Sequence, residues 1–273
     1  MRGRQYIDRM LSLPRLRASL RSPFQLLGHL PGQCLVCRSW QRSRLCAHCT
    51  DLWRHPVARC PRCAIDLPDG WAGGMTEVCQ SCEDQSPEFD RTITAVHYTA
   101  PWSPLLARLK FQNDTALARP LGDLLTQAVA PRVGKVSMVL PMPLSKQRLS
   151  ERGYNQSWLI ARRVARNLKL EARHDLLART IHTHRLMAMS AEERQQQIRD
   201  AFEPTAQGLR DITGQDIALV DDVMTTGATL NAAARTLLEA GAHSVSAWVV
   251  ARTPSPSTHK RTGSGTDGLT ITR

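Results

Sequence analysis

The chain has 273 residues, enough for two structural units, and its 42% hydrophobic content is sufficient for a packed core. Its 36 basic and 24 acidic residues give a formal charge of +12 at pH 7, which indicates polyanionic partners such as nucleic acid, nucleotides or phosphorylated substrates. No uninterrupted apolar stretch reaches membrane-spanning length, so we expect no transmembrane helix.

Residues 1–33 form an arginine-rich segment whose single acid is Asp8. No part of it resembles the apolar region of a secretory signal peptide. Two interpretations are open: a basic arm that contacts nucleic acid or a membrane surface, or a poorly ordered terminus. The arginines are Arg2, Arg4, Arg9, Arg15, Arg17 and Arg21.

All eight cysteines lie in residues 34–82, where they form four C-x-x-C pairs. Two such pairs complete a tetrahedral four-sulfur site, the arrangement of structural zinc. Disulfides would need an oxidising compartment, and the even, ribbon-like spacing favours zinc over an iron–sulfur cluster. We therefore predict two structural zinc ions in a cytoplasmic protein. The predicted ligands are Cys34, Cys37, Cys46, Cys49, Cys60, Cys63, Cys79 and Cys82.

The spacing leaves the pairing of these cysteines open. In a double zinc ribbon over residues 34–84, the first two pairs form one site and the last two form the other. In a cross-braced arrangement, the first pair joins the third. His48 and His55 lie near the pairs and could replace a ligand, although eight cysteines make this unnecessary.

Tryptophans are prominent among the few apolar residues of this cysteine-rich segment. Trp40, Trp53 and Trp71 could stack on the bases of single-stranded DNA. Alternatively, they could pack the interior of the small ribbons. A polar linker is expected over residues 83–91, and an α/β domain over residues 92–252.

The α/β domain should begin with a strand over residues 92–99 and a helix that Ser103 opens. A second helix is predicted over residues 115–129, capped by Asn113 or Asp114. Pro120 indicates that this helix is kinked or starts late.

A basic loop follows the next predicted strand, over residues 136–143. A helix is expected after the loop, over residues 156–168, with Asn155 as its cap. Basic residues ahead of a helix N-terminus describe an anion site, and the alternative is a solvated loop. The loop residues considered are Lys146, Arg148, Arg152 and Gly153.

Residues 171–202 are polar, with a short predicted strand and no clear apolar period after it. A segment of this kind between core strands can be an active-site lid, or simply a surface helix. Its basic residues include Arg179, Arg185 and Arg194.

The most informative stretch, residues 217–230, reads IALVDDVMTTGATL. A buried strand over residues 217–220 leads into Asp221 and Asp222, whose carboxylates can accept hydrogen bonds from vicinal hydroxyls. A small-residue loop follows, where Gly227 permits close backbone approach to a phosphate and Thr229 can cap the next helix. The loop residues are Thr225, Thr226, Gly227, Ala228 and Thr229.

A helix over residues 230–240, a strand over residues 244–251 and a disordered tail over residues 253–273 complete the prediction. The stretch at residues 217–230 resembles the binding motif for phosphoribosyl diphosphate (PRPP) in type I phosphoribosyltransferases. The chain as a whole resembles the ComF/GntX family. The features that carry this resemblance are this motif, the C-x-x-C pairs, LARLKF, LPMPLSKQRLSERGYNQ and the segment that ends at Phe202.

This resemblance implies a type I phosphoribosyltransferase-like parallel sheet flanked by helices, after a small cysteine-rich zinc ribbon domain. It implies binding of PRPP, or a related phosphorylated ribose, with Mg²⁺. In a phosphoribosyl transfer, Asp221 and Asp222 would hold the ribose hydroxyls and Thr225–Thr229 the 5′-phosphate. Arg194 would act from the lid. The diphosphate would lie against Arg148, Arg152 and Gly153.

The family is linked to natural competence and to the use of external DNA, so the resemblance also implies a role in DNA uptake. The acceptor of a phosphoribosyl group is not evident, because no residue stands out as a base. The alternative is a non-enzymatic module that binds PRPP or a nucleotide and docks single-stranded DNA or a DNA-uptake protein.

Overall fold

The computed structural model describes residues 32–54, 57–68, 78–180 and 201–254. The chain divides into two compact units, residues 1–46 and 47–273. In the first unit, the short strands β1 (Gly32–Gln33) and β2 (Trp40–Gln41) pair in antiparallel fashion. The turn between them is closed by hydrogen bonds from Cys34 N to Ser39 O at 2.9 Å and from Arg38 N to Cys34 O at 3.0 Å.

The second unit alternates helices and strands. Its helices are α1 (Ala47–Arg54), α2 (Gln80–Asp84), α3 (Trp102–Phe111), α4 (Ala118–Val129), α5 (Lys146–Arg152), α6 (Gln156–Leu168), α7 (Gly208–Asp211) and α8 (Ala228–Glu239). Its strands are β3 (Arg91–His97), β4 (Met138–Pro141), β5 (Glu171–Ala172), β6 (Leu177–Arg179), β7 (Phe202–Pro204), β8 (Asp216–Met224) and β9 (Ser244–Arg252). Short 3₁₀ turns lie at Thr115–Leu117 and Ala130–Arg132.

A five-stranded sheet of order β3-β9-β8-β4-β5 forms the centre of this unit, and all its neighbouring strands are parallel. Strands β4 and β9 are buried along almost their whole length. Their apolar sequences suit this position, because a parallel sheet is covered on both faces.

Helices cover both faces of the sheet. On β8, Ile217 and Leu219 belong to the buried cluster that includes Leu230 and Leu237 of α8. Successive side chains of a strand point to opposite faces, so Ala218 and Val220 face the other layer. That layer contains α4 and α6, which contact the sheet and each other. The predicted α/β fold with a parallel sheet is therefore confirmed.

The structure corrects four local predictions. The basic loop after β4 is largely the helix α5. Ser103 does not open α3, which begins at Trp102. Asp114 makes no capping hydrogen bond at the 3₁₀ turn that precedes α4. The late start predicted from Pro120 is observed, because α4 begins at Ala118 and Pro120 falls in its first turn. The linker over residues 83–91 includes Phe89, which is buried in the core.

Several predictions concern residues that lie outside the described ranges. These are residues 1–31 of the basic arm, His55, Trp71, residues 181–200 of the expected lid with Arg185 and Arg194, and residues 255–273 of the expected tail. Within the described ranges, no helix combines the length and apolarity needed to cross a bilayer.

Candidate functional site

A cavity of about 670 Å³ opens at the carboxyl ends of β4 and β8, where ligands of open α/β sheets bind. It brings together most of the residues predicted for the site: Arg148, Arg152, Asp221, Asp222, Thr225, Thr226, Gly227, Ala228 and Thr229. Gly153 is not among its lining residues. Arg194 lies outside the described part of the chain.

Two adjacent carboxylates project from the end of β8. Asp221 accepts hydrogen bonds from Ser157 Oγ at 2.9 Å and from the Asp222 amide at 2.8 Å. Asp222 is only 2% exposed, and its Oδ2 lies 3.0 Å from Lys110 Nζ. One acid is therefore compensated by a cation, whereas the other is held by neutral donors.

This asymmetry determines how the pair titrates. Burial, followed by repulsion from Asp222, raises the pKa of Asp221 to about 7. The charge of Lys110 and the hydrogen bond from Ser157 act in the opposite direction and lower this pKa. The unliganded site can therefore hold a proton near neutral pH. A ligand that places hydroxyl donors or a cation beside Asp221 would stabilise its ionised form.

The loop after β8 forms a cradle for an anion. Gly227 has φ of +87°, a left-handed conformation that glycine adopts without steric cost. Helix α8 starts at Ala228, with Gly227 as its cap residue and no capping hydrogen bond from a side chain. The predicted capping role of Thr229 is therefore wrong, since Thr229 lies in the first turn. Ala228 N donates to Thr226 Oγ1 at 3.3 Å, and the N–H groups at this helix start suit a phosphate.

A basic wall on another side of the cavity comes from α5 and the turn after it. Ser145 caps α5 by accepting a hydrogen bond from Arg148 N, and Gly153 ends the helix at φ of +75°. Arg152 and Arg148 then line the cavity. Gly153 shapes this wall through its backbone.

Asn155 fixes the junction between the basic wall and α6, as predicted. Its Oδ1 accepts hydrogen bonds from Ser157 N at 2.9 Å and Trp158 N at 3.3 Å, and its Nδ2 donates to Met142 O at 3.0 Å. The same side chain therefore caps a helix and ties it to the segment after β4.

Sequence reasoning missed part of the site. The role of Lys110 was missed because nothing local shows that a residue more than a hundred positions from Asp222 pairs with it. Phe111 is 74% exposed at the cavity, and the Arg152 guanidinium lies 5.6 Å from its ring centroid. The other lining residues that were missed include Asn113, Gln156 and Ser157. Arg179, which was assigned to the expected lid, lies in β6 and also lines the cavity.

The cysteines form two groups that follow chain order, so the cross-braced alternative does not apply. Within each group the four sulfur atoms lie within 4.8 Å of one another. The groups are Cys34, Cys37, Cys46 and Cys49, and Cys60, Cys63, Cys79 and Cys82. None of these eight described cysteines forms a disulfide.

Both groups fit a zinc ion. The sulfurs of Cys63 and Cys79 are 3.6 Å apart and those of Cys37 and Cys46 are 3.8 Å apart. A tetrahedral site with Zn–S bonds of about 2.3 Å needs sulfurs about 3.8 Å apart. Cys79 N donates to Cys60 Sγ at 3.3 Å, and backbone N–H donors of this kind stabilise a metal-binding thiolate.

Comparison with known proteins identifies the class of the second unit. The profile described as "Phosphoribosyl transferase domain" matches residues 155–264. The match includes the acidic pair and the phosphate cradle. With the parallel sheet described above, it defines a type I phosphoribosyltransferase-like domain.

Two relatives match nearly their whole length. "Competence protein F" of Haemophilus influenzae is 31% identical over 81% of this chain and 96% of its own length. "DNA utilization protein YhgH" of Escherichia coli is 29% identical over 82% of this chain and 98% of its own length. The chain therefore belongs to the competence protein F family, the ComF/GntX family that its motifs resemble.

Among solved structures, the glutamine PRPP amidotransferase of Bacillus subtilis, complexed with ADP and GMP, is similar at 20% identity and a TM-score of 0.35. The alignment covers 48% of this chain and 25% of that chain.

Proposed function

We propose that the cavity binds PRPP together with Mg²⁺. The observation that carries the proposal is the convergence of an acidic pair, an anion cradle and a basic wall around one cavity. These three features match the ribose hydroxyls, the 5′-phosphate and the diphosphate of PRPP, in that order. A simple nucleotide-binding turn would not require all three.

Each part of the site has a role in this proposal. Asp221 and Asp222 accept hydrogen bonds from the ribose hydroxyls, and residues 225–229 hold the 5′-phosphate. Arg148 and Arg152 bind the diphosphate. Lys110 keeps the buried charge of Asp222 compensated before the ligand arrives.

The carboxylates also suit Mg²⁺, which prefers oxygen ligands and is commonly bound by one or two carboxylates plus substrate phosphates. Bound there, Mg²⁺ would neutralise charge on the diphosphate. The residues of this chain would orient the ribose, and the arginines would stabilise the negative charge that collects on the departing oxygen.

The enzymatic form of the proposal is transfer of the phosphoribosyl group to an acceptor. The bond between C1 and the diphosphate oxygen breaks, the acceptor's electron pair forms the new bond to C1, and the acceptor's proton passes to solvent or a base. Arg194, which we assigned to the expected lid, would complete the charge stabilisation in the closed site.

A turnover screen tests the enzymatic form. The full chain is incubated with PRPP, Mg²⁺ and a panel of bases, amines and nucleosides, and diphosphate is measured. Steady release that depends on one acceptor supports transfer. Saturable PRPP binding without turnover for any acceptor would instead favour a PRPP-sensing module.

We also propose that each cysteine group holds a structural zinc ion. The observation is the close, sequential grouping of four sulfurs in each site. Thiolates that bind zinc persist in a reducing compartment, so the cytoplasm suits two such sites.

A second candidate function, binding of single-stranded DNA, is favoured by two exposed tryptophans. Trp40 is 71% exposed and Trp53 is 38% exposed, so neither is fully used to pack a ribbon. Exposed aromatic rings beside basic residues can stack on bases with little sequence preference. The printed names of the relatives, which refer to competence and DNA utilization, agree with this candidate.

Fluorescence anisotropy with a labelled oligonucleotide tests DNA binding. Trp40→Ala should weaken binding severalfold, since stacking contributes about 1–3 kcal/mol per base. Leu209→Ala, which removes a side chain in a residue that is 60% exposed, is the matched control. Affinity that is insensitive to salt, or equal in both variants, would contradict a DNA platform at Trp40.

A further inference from the structure

Arg252, the last residue of β9, is a buried charged side chain of the second unit. It is only 5% exposed, which is unusual for arginine and requires that its donors be satisfied. Besides the carbonyl oxygen of its neighbour Thr253, at 3.1 Å, its partners are carbonyl oxygens of two segments that are far apart in sequence. One belongs to the second cysteine group, and the others belong to the loop that carries the phosphate cradle.

On the cysteine side, Arg252 Nε donates to Cys63 O at 3.0 Å. Cys63 belongs to the group predicted to bind metal, and its side chain also packs against the main hydrophobic core. The same turn is held to the sheet by a hydrogen bond from Thr92 N to Pro61 O at 3.2 Å. The position of this carbonyl therefore depends on the geometry of the cysteine turn.

On the loop side, Arg252 Nη1 donates to Met224 O at 3.3 Å and to Thr225 O. These carbonyls lie immediately before the cradle. A Cβ added to Gly227 would lie 2.5 Å from the Met224 side chain, so the cradle packs directly on Met224. Movement of Met224 would displace the backbone that is proposed to hold the 5′-phosphate.

The guanidinium is suited to this bridge. Its planar fork of five N–H donors can bind two carbonyl groups in fixed directions at once, whereas a lysine ammonium on a flexible stem cannot reproduce that geometry. The bridge joins the turn at Cys60 and Cys63 to the turn at Met224 and Thr225 through one rigid group.

We propose that Arg252 is a positioning residue that couples metal retention by Cys60, Cys63, Cys79 and Cys82 to phosphate binding at residues 225–229. The inference rests on the proposed binding of PRPP. An intact metal site fixes the Cys63 carbonyl, and through Arg252 it holds the cradle in its binding geometry. Coupling between two sites is reciprocal, so a ligand in the cradle stabilises the cysteine turn by the same factor.

Hydrogen exchange of the full zinc-loaded chain, with and without saturating PRPP and Mg²⁺, tests the coupling. The reporter is the turn at residues 60–65, where Cys60 N donates to Ile65 O and Ala64 N donates to Cys60 O, both at 2.9 Å. Saturation should slow its exchange by on the order of fivefold. The corresponding turn at residues 34–38 is the internal control, and protection of residues 225–230 confirms that the cradle is filled.

Substitutions distinguish an effect of the Arg252 bridge from a general loss of stability. Arg252→Met should abolish the PRPP-dependent protection of residues 60–65 and weaken PRPP affinity roughly tenfold. Arg252→Lys should restore less than the full effect. Arg235→Met, which removes an arginine paired with Glu88 at 3.2 Å, should leave both measurements unchanged.

The rate at which a chelator removes zinc gives a second readout. In the wild type, PRPP should slow one of the two phases of zinc release. In Arg252→Met, PRPP should change neither phase. Protection of residues 225–230 without any change at 60–65 in the wild type would overturn the inference, even if Arg252→Met does not fold. Failure of the wild type to bind PRPP would overturn the proposed function and this inference with it.

Discussion

At the scale of single residues, the site depends on how one acidic pair is compensated. Asp222 faces Lys110, whereas Asp221 is held by Ser157 and by the backbone. Two buried carboxylates side by side repel each other, so they are expensive to keep in an unliganded fold. Unfavourable charge repulsion of this kind is common at functional cavities, where a bound ligand supplies the hydrogen-bond donors or cations that offset it.

The titration of Asp221 gives a prediction for stability. The unfolded carboxyl ionises near pH 3.9, while the folded carboxyl has its pKa raised to about 7. The contribution of Asp221 to the free energy of unfolding therefore falls as the pH rises between these two values, by about 1.4 kcal/mol for each pH unit. Asp221→Asn carries no charge and should gain stability relative to the wild type across this window.

Denaturant unfolding at about pH 4.5 and about pH 7.5 measures this difference. Asp216→Asn is a control on the same strand: a hydrogen bond with His243 lowers the pKa of Asp216, so the ionisation of Asp216 changes its contribution to stability only below this pH window. A gain for Asp221→Asn that is the same at both pH values would contradict the raised pKa.

The phosphate cradle gives a second prediction. Gly227→Ala forces a side chain into a residue with φ of +87°, and the new Cβ would lie 2.5 Å from Met224. We expect a stability loss of at least about 1 kcal/mol and a clear loss of PRPP affinity. Thermal unfolding and calorimetric titration measure the two effects.

Gly214→Ala is the matched control for Gly227→Ala. Gly214 has φ of +74°, but a Cβ there meets nothing within 4 Å. Gly214→Ala should lower the stability through its backbone conformation without lowering the affinity for PRPP. Equal PRPP affinity in both variants and the wild type would show that the cradle is not part of the PRPP-binding site.

Sequence reasoning succeeded at residue scale where the chemistry is local. Asp221, Asp222 and Gly227 are close in sequence and suit one ligand, so their common cavity could be predicted. Lys110 could not, since its role depends on how α3 packs beside the end of β8. The capping role of Thr229 was wrong because the turn at Gly227 places the helix start two residues earlier than predicted, at Ala228.

At the scale of elements, the site is built from turns at the carboxyl ends of two parallel strands. The turn after β8 leads into α8, and the segment after β4 leads through α5 into α6. Each turn is fixed by hydrogen bonds to backbone groups. The precision of the site therefore depends on helix caps as much as on the side chains that would touch a ligand.

Asn155 tests the contribution of such a cap. Asn155→Ala removes the cap of α6 and the bond to Met142 O, and should cost about 1–2 kcal/mol of stability and weaken diphosphate binding. Asn155→Asp keeps the capping oxygen but loses the donor, so it should recover much of the stability and little of the binding. Chemical unfolding and diphosphate titration check the two variants; equal behaviour would contradict the division of roles.

The elements themselves were largely predictable from the sequence. The apolar runs predicted β3, β4, β8 and β9, and α6 spans the predicted residues 156–168. The helix α5 was missed because its seven residues are too polar to show an apolar period. The burial of Phe89 was missed because a polar linker gives no sign that one of its residues enters the core.

At the scale of the whole molecule, the chain combines a cysteine-rich segment with a phosphoribosyltransferase-like sheet. The C-x-x-C spacing predicts four-sulfur sites, but it does not distinguish sequential from cross-braced pairing. The two groups in chain order settle that point. The attachment of the second group to the sheet through Arg252 could not be predicted, since it depends on tertiary packing.

Metal content is the prediction at this scale. Protein purified without added metal should contain two zinc ions per chain, because four pairs supply four ligands to each of two sites. Elemental analysis measures the number directly. One zinc, or an iron chromophore, would contradict two structural zinc sites. Chelation should disrupt residues 34–82 first, since metal binding there contributes folding energy.

The central claim, that the cavity binds PRPP, is tested most directly by calorimetric titration with PRPP and Mg²⁺. The double variant Asp221→Asn with Asp222→Asn keeps the shape of both side chains and removes their charge. We expect the fold to persist by circular dichroism and PRPP affinity to fall, at about 1.5–3 kcal/mol per residue. Equal affinity in the wild type and the double variant would contradict the assignment of the acidic pair to the ribose hydroxyls.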